Sequence, residues 1–330
     1  MKRFLRDTLL FLLLPIVVVL LFDLYLRNME TQYSAKYDGL MKMKKEVEVL
    51  FVGNSHAHYA ISPLHITRFK AYNLAMVSQQ LYFDKRLTIK AINEGVSNLR
   101  YLFISVDYHS LHTSTQDERN IWSYYANGIR YKDQDYTKAI LSPFIWGYTP
   151  RVSYTMARRA LKRRVKYGGK AVPFHVERGV NVTDSLFQGF LGLEGTKVST
   201  FKPSEYRKIA SKFREDTTSG EREEVLSDLH QFIRFLKEKD IQPILFSSPT
   251  YREYNQTLDS AQIRRNLEDI RSICETHNIP YWPYNDDERF TREDFFNPDH
   301  LNKQGAAKFS RILDERLGEW SEVSDQQSRR

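Results

Sequence analysis

The chain has 330 residues and a formal net charge of +8, with 27% charged and 13% aromatic residues. That composition excludes a disordered polar chain, and a lone cysteine, Cys274, excludes an intrachain disulfide framework and a cysteine-based metal cluster. The basic balance would admit nucleic acid as a partner, but no reader motif accompanies it, so none is expected.

Lys2, Arg3 and Arg6 precede an uncharged stretch from Thr8 to Phe22, and apolar character resumes at Leu24, Tyr25 and Leu26 after Asp23. A spanning helix needs about 20 largely apolar residues, so residues 1–28 read as a minimal transmembrane signal anchor. A cleavable signal peptide is the rival, because its apolar core runs to about 7–15 residues. Cleavage needs small residues, and the first small pair, Ser34-Ala35, is preceded by Tyr33. Arg27, Lys36, Lys42, Lys44 and Lys45 on the far side leave charge bias a weak guide to orientation.

Beyond the anchor, strands are predicted at 47–53, 71–75, 100–106, 242–247 and 279–282. Helical patterns fall at 63–69, 79–95, 222–239, 259–277 and 303–317, with Cys274 as a small core residue of the fourth. Alternating signals of this length imply parallel βαβ units. The expected fold is α/β and doubly wound: a mainly parallel five-stranded sheet flanked by helices over 29–320, with a polar, frayed tail at 321–330. Residues 108–221 are rich in Tyr, Trp and basic side chains and read as a helical insertion. Within it Arg151, Arg158, Arg159, Lys162, Arg163, Arg164, Lys166 and Lys170 form a basic stretch ending at Gly168-Gly169. As a helix it gathers Met156, Ala160, Leu161 and Val165 on one side. Anionic lipid headgroups, an acidic glycan and plain solvation are all open readings of the cations. The sequons Asn181-Val182-Thr183 and Asn255-Gln256-Thr257 carry little information without a known host.

Two short segments carry the chemistry. Val47, Val49, Leu50, Phe51 and Val52 form a continuous apolar run that ends at Gly53-Asn54-Ser55-His56. Such a run reads as a buried parallel strand, and Gly53 permits a sharp turn, which places Ser55 on a loop at the strand's carboxyl end, where open sheets bind ligands. Near the other end, Phe296-Asn297-Pro298-Asp299-His300-Leu301-Asn302 places His300 on a loop before the last helix, whose start region contains Gly305. A serine hydroxyl needs a neutral imidazole and backbone N–H donors to attack a carbonyl, so together the two segments point to a nucleophile and its base. Asp107 and Tyr251 follow strand ends on the same edge of the sheet and are pocket candidates. Asn73 and Gln79 are candidates to orient an acyl carbonyl. His56 and His58, on the serine loop, are each open to substrate contact or a structural role. A metal site from His56, His58 and His109 lacks ligand spacing, and no metal or cofactor is expected.

These segments resemble the SGNH or GDSL-type hydrolases, most nearly their membrane-anchored bacterial branch, such as the proteins of teichoic-acid D-alanylation and alginate acetylation. The resemblance covers roughly 47–107 and 222–318. It implies a flavodoxin-like fold, Ser55 as nucleophile, His300 as base and a catalytic domain outside the cytoplasm. It also implies an acylated or lipid-linked glycan as substrate, contact with membrane lipid, and a possible membrane acyltransferase partner. There are three departures. Asn297 stands three before His300, where the family has aspartate; in a serine protease such a swap costs about 10⁴ in rate. Asp299 and Asp294 are substitutes, though Asp299 is adjacent to His300 and neighbours seldom point at one partner. Ala75 replaces an oxyanion-hole glycine but keeps its N–H. Ile104-Ser105-Val106-Asp107-Tyr108 lacks the asparagine of the third family block. The expected function is acyl ester hydrolysis or O-acyl transfer on a cell-envelope glycan. The alternative is a catalytically weak or inactive relative that binds glycan or organises an envelope assembly.

Overall fold

The computed structural model describes residues 2–28, 31–114, 121, 124, 127–132, 150–167, 186–197 and 201–328. Its helices are α1 (Lys2–Arg27), α2 (Gln32–Lys42), α3 (Ser55–Ala60), α4 (Leu81–Asn93), α5 (Pro150–Tyr167), α6 (Pro203–Ser211), α7 (Glu221–Glu238), α8 (Arg252–Asn255), α9 (Ser260–His277) and α10 (Lys303–Ser328). Its strands are β1 (Val49–Val52), β2 (Ala71–Asn73), β3 (Tyr101–Ser105), β4 (Gln242–Ser247), β5 (Tyr281–Pro283), β6 (Phe295–Asn297) and β7 (His300–Leu301). The chain divides into two compact units, Met1–Ala35 with Asp117–His175, and Lys36–Gln116 with Val176–Arg330.

In the first unit, α1 is long and apolar enough to cross a membrane, with a mean hydropathy of 2.8 over its most apolar window. The helix carries Asp23 because Arg27, one turn later, pairs with it at 2.6 Å. On α5, Arg158, Arg159, Lys162 and Lys166 are exposed, and so are Leu161 and Val165, while Ala157 is buried. The side chains of Arg151, Met156, Ala160, Arg163 and Arg164 lie outside the described residues, as do Gly168, Gly169, Lys170 and the sequon at 181–183.

In the second unit, five parallel strands lie in the order β2-β1-β3-β4-β5, that of flavodoxin-like doubly wound sheets. Alternation along the strands places Val49, Phe51, Phe103, Ile244 and Phe246 on one face with Phe309, Leu313 and Leu317 of α10. Leu50, Val52, Leu102 and Ile104 point the other way and are equally buried, so helices cover both faces, which explains the unbroken apolar run of β1. The register sets Phe51 opposite Phe103, with ring centres 4.7 Å apart, and Phe103 in turn lies 5.3 Å from Trp282. Truncating Phe103 to Ala would cost about 3–5 kcal/mol by opening this row.

The strands and long helices match the predicted spans closely, with α10 running on through most of the expected tail. The helix expected at 63–69 is instead one 3₁₀ turn, Pro63–His65. Backbone and side chains there bond to α10: Ser62 N–H to Ser310 Oγ at 2.8 Å, and Thr67 Oγ1 and Arg68 N–H to Asp314. These bonds replace helical ones. Helix α3 and the β6–β7 hairpin are unforeseen elements, and both carry the site.

Candidate active site

Sheet order reverses between β1 and β3, so the crevice of this topology opens at the carboxyl ends of those two strands. The chain leaves β1 through Gly53, whose φ of 138° lies where side chains are strained, and an added Cβ would overlap that of Ser105 on β3. Asn54 then caps α3, its Oδ1 accepting from the His56 N–H at 2.9 Å while its Nδ2 reaches His109 Nε2 and Ser110 Oγ, both at 3.2 Å. Ser55 is thus the first residue of a helix, not a loop residue, and its N–H is among the first-turn amides that a helix leaves without an internal acceptor. From below, the buried Asp84 on α4 accepts from Gly53 N–H and, at 2.6 Å, from Gln79 Nε2. Burial pushes the Asp84 carboxyl up to about 7 despite these bonds.

The candidate base, His300, arrives on the hairpin. Asn297 and His300 are register partners across the Pro298-Asp299 turn, which brings residues three apart face to face. His300 Nε2 lies 2.8 Å from Ser55 Oγ, and His300 Nδ1 lies 3.0 Å from Asn297 Oδ1. With Nδ1–H donating to Asn297, Nε2 keeps its lone pair for the serine proton. Asp299 is also turned toward this imidazole, one carboxylate oxygen standing 3.3 Å from Nδ1 without hydrogen-bond geometry. Burial opposes the Asp299 charge, but His300 and then His56 hold its carboxyl well below the usual carboxylate range. An adjacent residue thus does face the same partner, because the turn folds its side chain back. Asp294 does not: it is buried in a capping box with Thr291 and accepts from Lys308 Nζ at 2.9 Å.

A second buried pair adjoins the first. His56 Nδ1 stands 3.4 Å from Asp107 Oδ1, and the His56 and His300 rings meet edge to face with centres 5.2 Å apart. Burial works against a charge on His56, yet Asp107 and Asp299 outweigh it and raise its protonation range above the ordinary imidazole value. Asp107, likewise opposed by burial, is held below the ordinary carboxylate range by His56 and by the Ser105 hydroxyl, which donates to it at 2.5 Å. Its other oxygen accepts from the Ser248 N–H at 3.3 Å. Burial, with His56 beside it, pushes His109 down to about 3, and its ring stacks on Phe213. Within 4.8 Å of one another, donor atoms of His56, Asp299 and His300 form a potential cation cluster, a grouping different from the His56, His58 and His109 set weighed in the sequence.

Several expected substrate contacts are engaged elsewhere. The Ala75 N–H donates to Asn73 Oδ1 at 3.0 Å, and Asn73 Nδ2 donates to the carbonyls of Ala57, His58 and Ile61. Both residues therefore fasten β2 to α3, and the Ala75 amide is not a free oxyanion donor. Gln79 is committed to Asp84. His58 lies buried between Lys36 Nζ on α2, at 3.0 Å, and the Ala75 carbonyl, at 2.9 Å. Tyr251 sits among Phe201, Tyr206 and Phe295, and its N–H donates to the Pro298 carbonyl, so it braces the hairpin. The His56–Asp107 pair and the Asp84 brace escaped sequence reasoning; only the strand-end position of Asp107 hinted at either.

No protein-family model and no curated protein matches the chain. Among solved structures, it is similar to a Bacteroides fragilis protein named for acylhydrolase activity, at 8% identity and a TM-score of 0.40, covering 85% of this chain and 94% of the other. A Streptococcus pneumoniae protein named for platelet activating factor aligns at 12% identity and a TM-score of 0.41, covering 91% and 98%.

Proposed function

We propose that the protein is an acyl ester hydrolase or O-acyltransferase built on Ser55 and His300. The observation that carries this reading is the 2.8 Å contact between Ser55 Oγ and a His300 whose opposite nitrogen is held by Asn297. In the reaction Ser55 donates its proton to His300 Nε2 as Oγ bonds to the ester carbonyl carbon. The carbonyl electrons move to oxygen, where the Ser55 N–H at the start of α3 is the available backbone donor. His300 returns the proton to the leaving alkoxide as the ester C–O bond breaks, leaving an acyl-serine. A second hydroxyl, from water or a sugar, then gives its proton to His300 as its oxygen bonds to the acyl carbon, and His300 returns that proton to Ser55 Oγ as the acyl–Oγ bond breaks. The duties of a triad acid are divided: Asn297 orients the imidazole, and the Asp299 carboxylate supplies negative charge beside the imidazolium.

The apolar α1 supports a single-pass membrane anchor; on the family resemblance alone, we further set it in a bacterial cytoplasmic membrane with the catalytic domain outside, contacting lipid and acting on an acylated or lipid-linked glycan with a membrane acyltransferase as partner. The weak or inactive glycan binder is the second reading, favoured by the engaged Ala75 amide and by Asn297 in place of an acid. A fluorophosphonate probe on the full-length protein in nanodiscs tests the first reading. Labelling of wild type that is lost in Ser55→Ala and His300→Ala supports an activated serine; an unlabelled, folded wild type overturns it in favour of the binder.

A further inference from the structure

A cavity of about 310 Å³ opens at the carboxyl ends of β3, β4 and β5. It begins at His56 and Asp107, one imidazole away from His300, and Tyr254 on its wall lies close enough to feel the charges of Asp299 and Asp107. Ile263, Leu267 and Ile270 line it from one face of α9, at the spacing of successive turns, and Leu258, Tyr254 and Tyr281 complete an apolar wall. The polar groups along that wall are already committed to one another. Thr250 Oγ1 donates to Asn255 Oδ1 at 2.6 Å, Asn255 Nδ2 to the Asn285 carbonyl at 2.6 Å, and Asn266 Nδ2 to the Tyr108 carbonyl at 2.8 Å. The exception lies at the end that His56 and Asp107 line. There Ser248 Oγ is buried without a hydrogen-bond partner, on a residue 1% exposed, beside the His56 that faces Asp107.

A largely apolar cavity with an unpaired hydroxyl at one end fits an aliphatic chain with a carbonyl head, and it leaves a sugar ring's hydroxyls without partners. We propose that this cavity receives the acyl chain of the ester that Ser55 attacks, and that the chain is aliphatic and of medium length rather than acetyl. The assignment rests on the serine–imidazole reading. A cavity of about 310 Å³ is far more than an acetyl group fills and admits a chain of several methylenes. The free acid of that length shares the chemistry, and the test separates the two sources.

The test uses full-length protein in nanodiscs and 4-nitrophenyl esters from acetate to dodecanoate, with fluorophosphonate labelling of Ser55 run in parallel. kcat/KM is expected to rise about a hundredfold from acetate to octanoate and to fall again at dodecanoate. Ile263→Trp, which fills the cavity, is expected to lower octanoate turnover at least about tenfold while acetate turnover and labelling stay within about twofold. Leu267→Trp, at the exposed rim, gives the same pattern more weakly and keeps the test valid should Ile263→Trp fail to fold. A labelled wild type with no chain-length preference, or a filled cavity that slows every ester equally, overturns the proposal while leaving the catalytic reading intact. If Ser55 is not labelled and no ester is cleaved, the catalytic reading fails first. Calorimetric titration with octanoate then decides the cavity: heat seen with wild type but not with Ile263→Trp retains a fatty-acid site and overturns its role as a substrate pocket, and no heat overturns both.

Discussion

Two imidazoles stand edge to face beside Ser55, each next to a carboxylate, and only one of them is placed for proton transfer. His300 rides on a hairpin edge, partly exposed, with one nitrogen on Asn297 and the other on the serine. His56 belongs to α3, is buried, and meets Asp107. The same ring chemistry therefore serves two ends. A base must take the proton of an incoming hydroxyl and so has to be reachable, whereas a ring sealed against a carboxylate is held in one protonation state and braces its surroundings.

The comparison breaks most sharply in kinetics. His300→Ala should lower ester turnover by about 10⁶, matching Ser55→Ala, while His56→Gln should cost no more than about tenfold in a stopped assay of the same ester. Equal losses would mean that the two rings act as one unit. Stability should reverse the ranking. Asp107→Ala strips a buried imidazole of its partner and is expected to cost about 3–5 kcal/mol in urea unfolding. The raised protonation range of His56 means that the folded state holds the proton more tightly than the unfolded chain. Its contribution is therefore full below the ordinary imidazole value and is lost as pH rises through the raised one, so the penalty should be larger at pH 5.5 than at pH 9.

Asp84 braces the Gly53 turn that both residues depend on, and it offers a second pH signature. Its carboxyl is held to about 7 when folded but ionises in the ordinary carboxylate range when unfolded. Native protein thus binds the extra proton between those values, and stability falls as pH rises across that window. Asp84→Asn should flatten the fall and stabilise the protein at pH 8 by on the order of 2 kcal/mol, read as a melting shift against pH. The smallest effects divide the acid's duties. Asp299→Asn should lower kcat about tenfold to a hundredfold with little change in KM, and Asn297→Asp should raise kcat by about tenfold. A neutral result for Asp299→Asn would return both duties to Asn297.

Much of this site was legible in the sequence because strand-end position is a local property. The apolar run before Gly53 placed Ser55 at the end of a buried strand, and the Asn-Pro-Asp-His turn placed His300 before the last helix. Residues whose roles depend on what packs against them were less legible. Asn73 looks like a substrate contact by position, yet three carbonyls of α3 and the segment after it occupy its amide. Tyr251 looks like a groove residue, yet an aromatic cluster absorbs its ring. The helix expected at 63–69 lost to bonds with Ser310 and Asp314, which lie almost 250 positions away.

By itself, then, the amino-acid order determined the alternation of strands and helices, the long apolar first helix, the sharp turn at Gly53 and the pairing of Ser55 with His300 as candidates. Hydrophobic period, turn chemistry and residue type are local quantities. Tertiary structure decided which of Asn297, Asp299 and Asp294 faces the imidazole, that His56 is sealed against Asp107, that the Ala75 amide is engaged, and that a largely apolar cavity is lined by His56 and Asp107. Each of these depends on distances between segments far apart along the chain. Side-chain identity sets what a group can bond, but only packing sets what it meets.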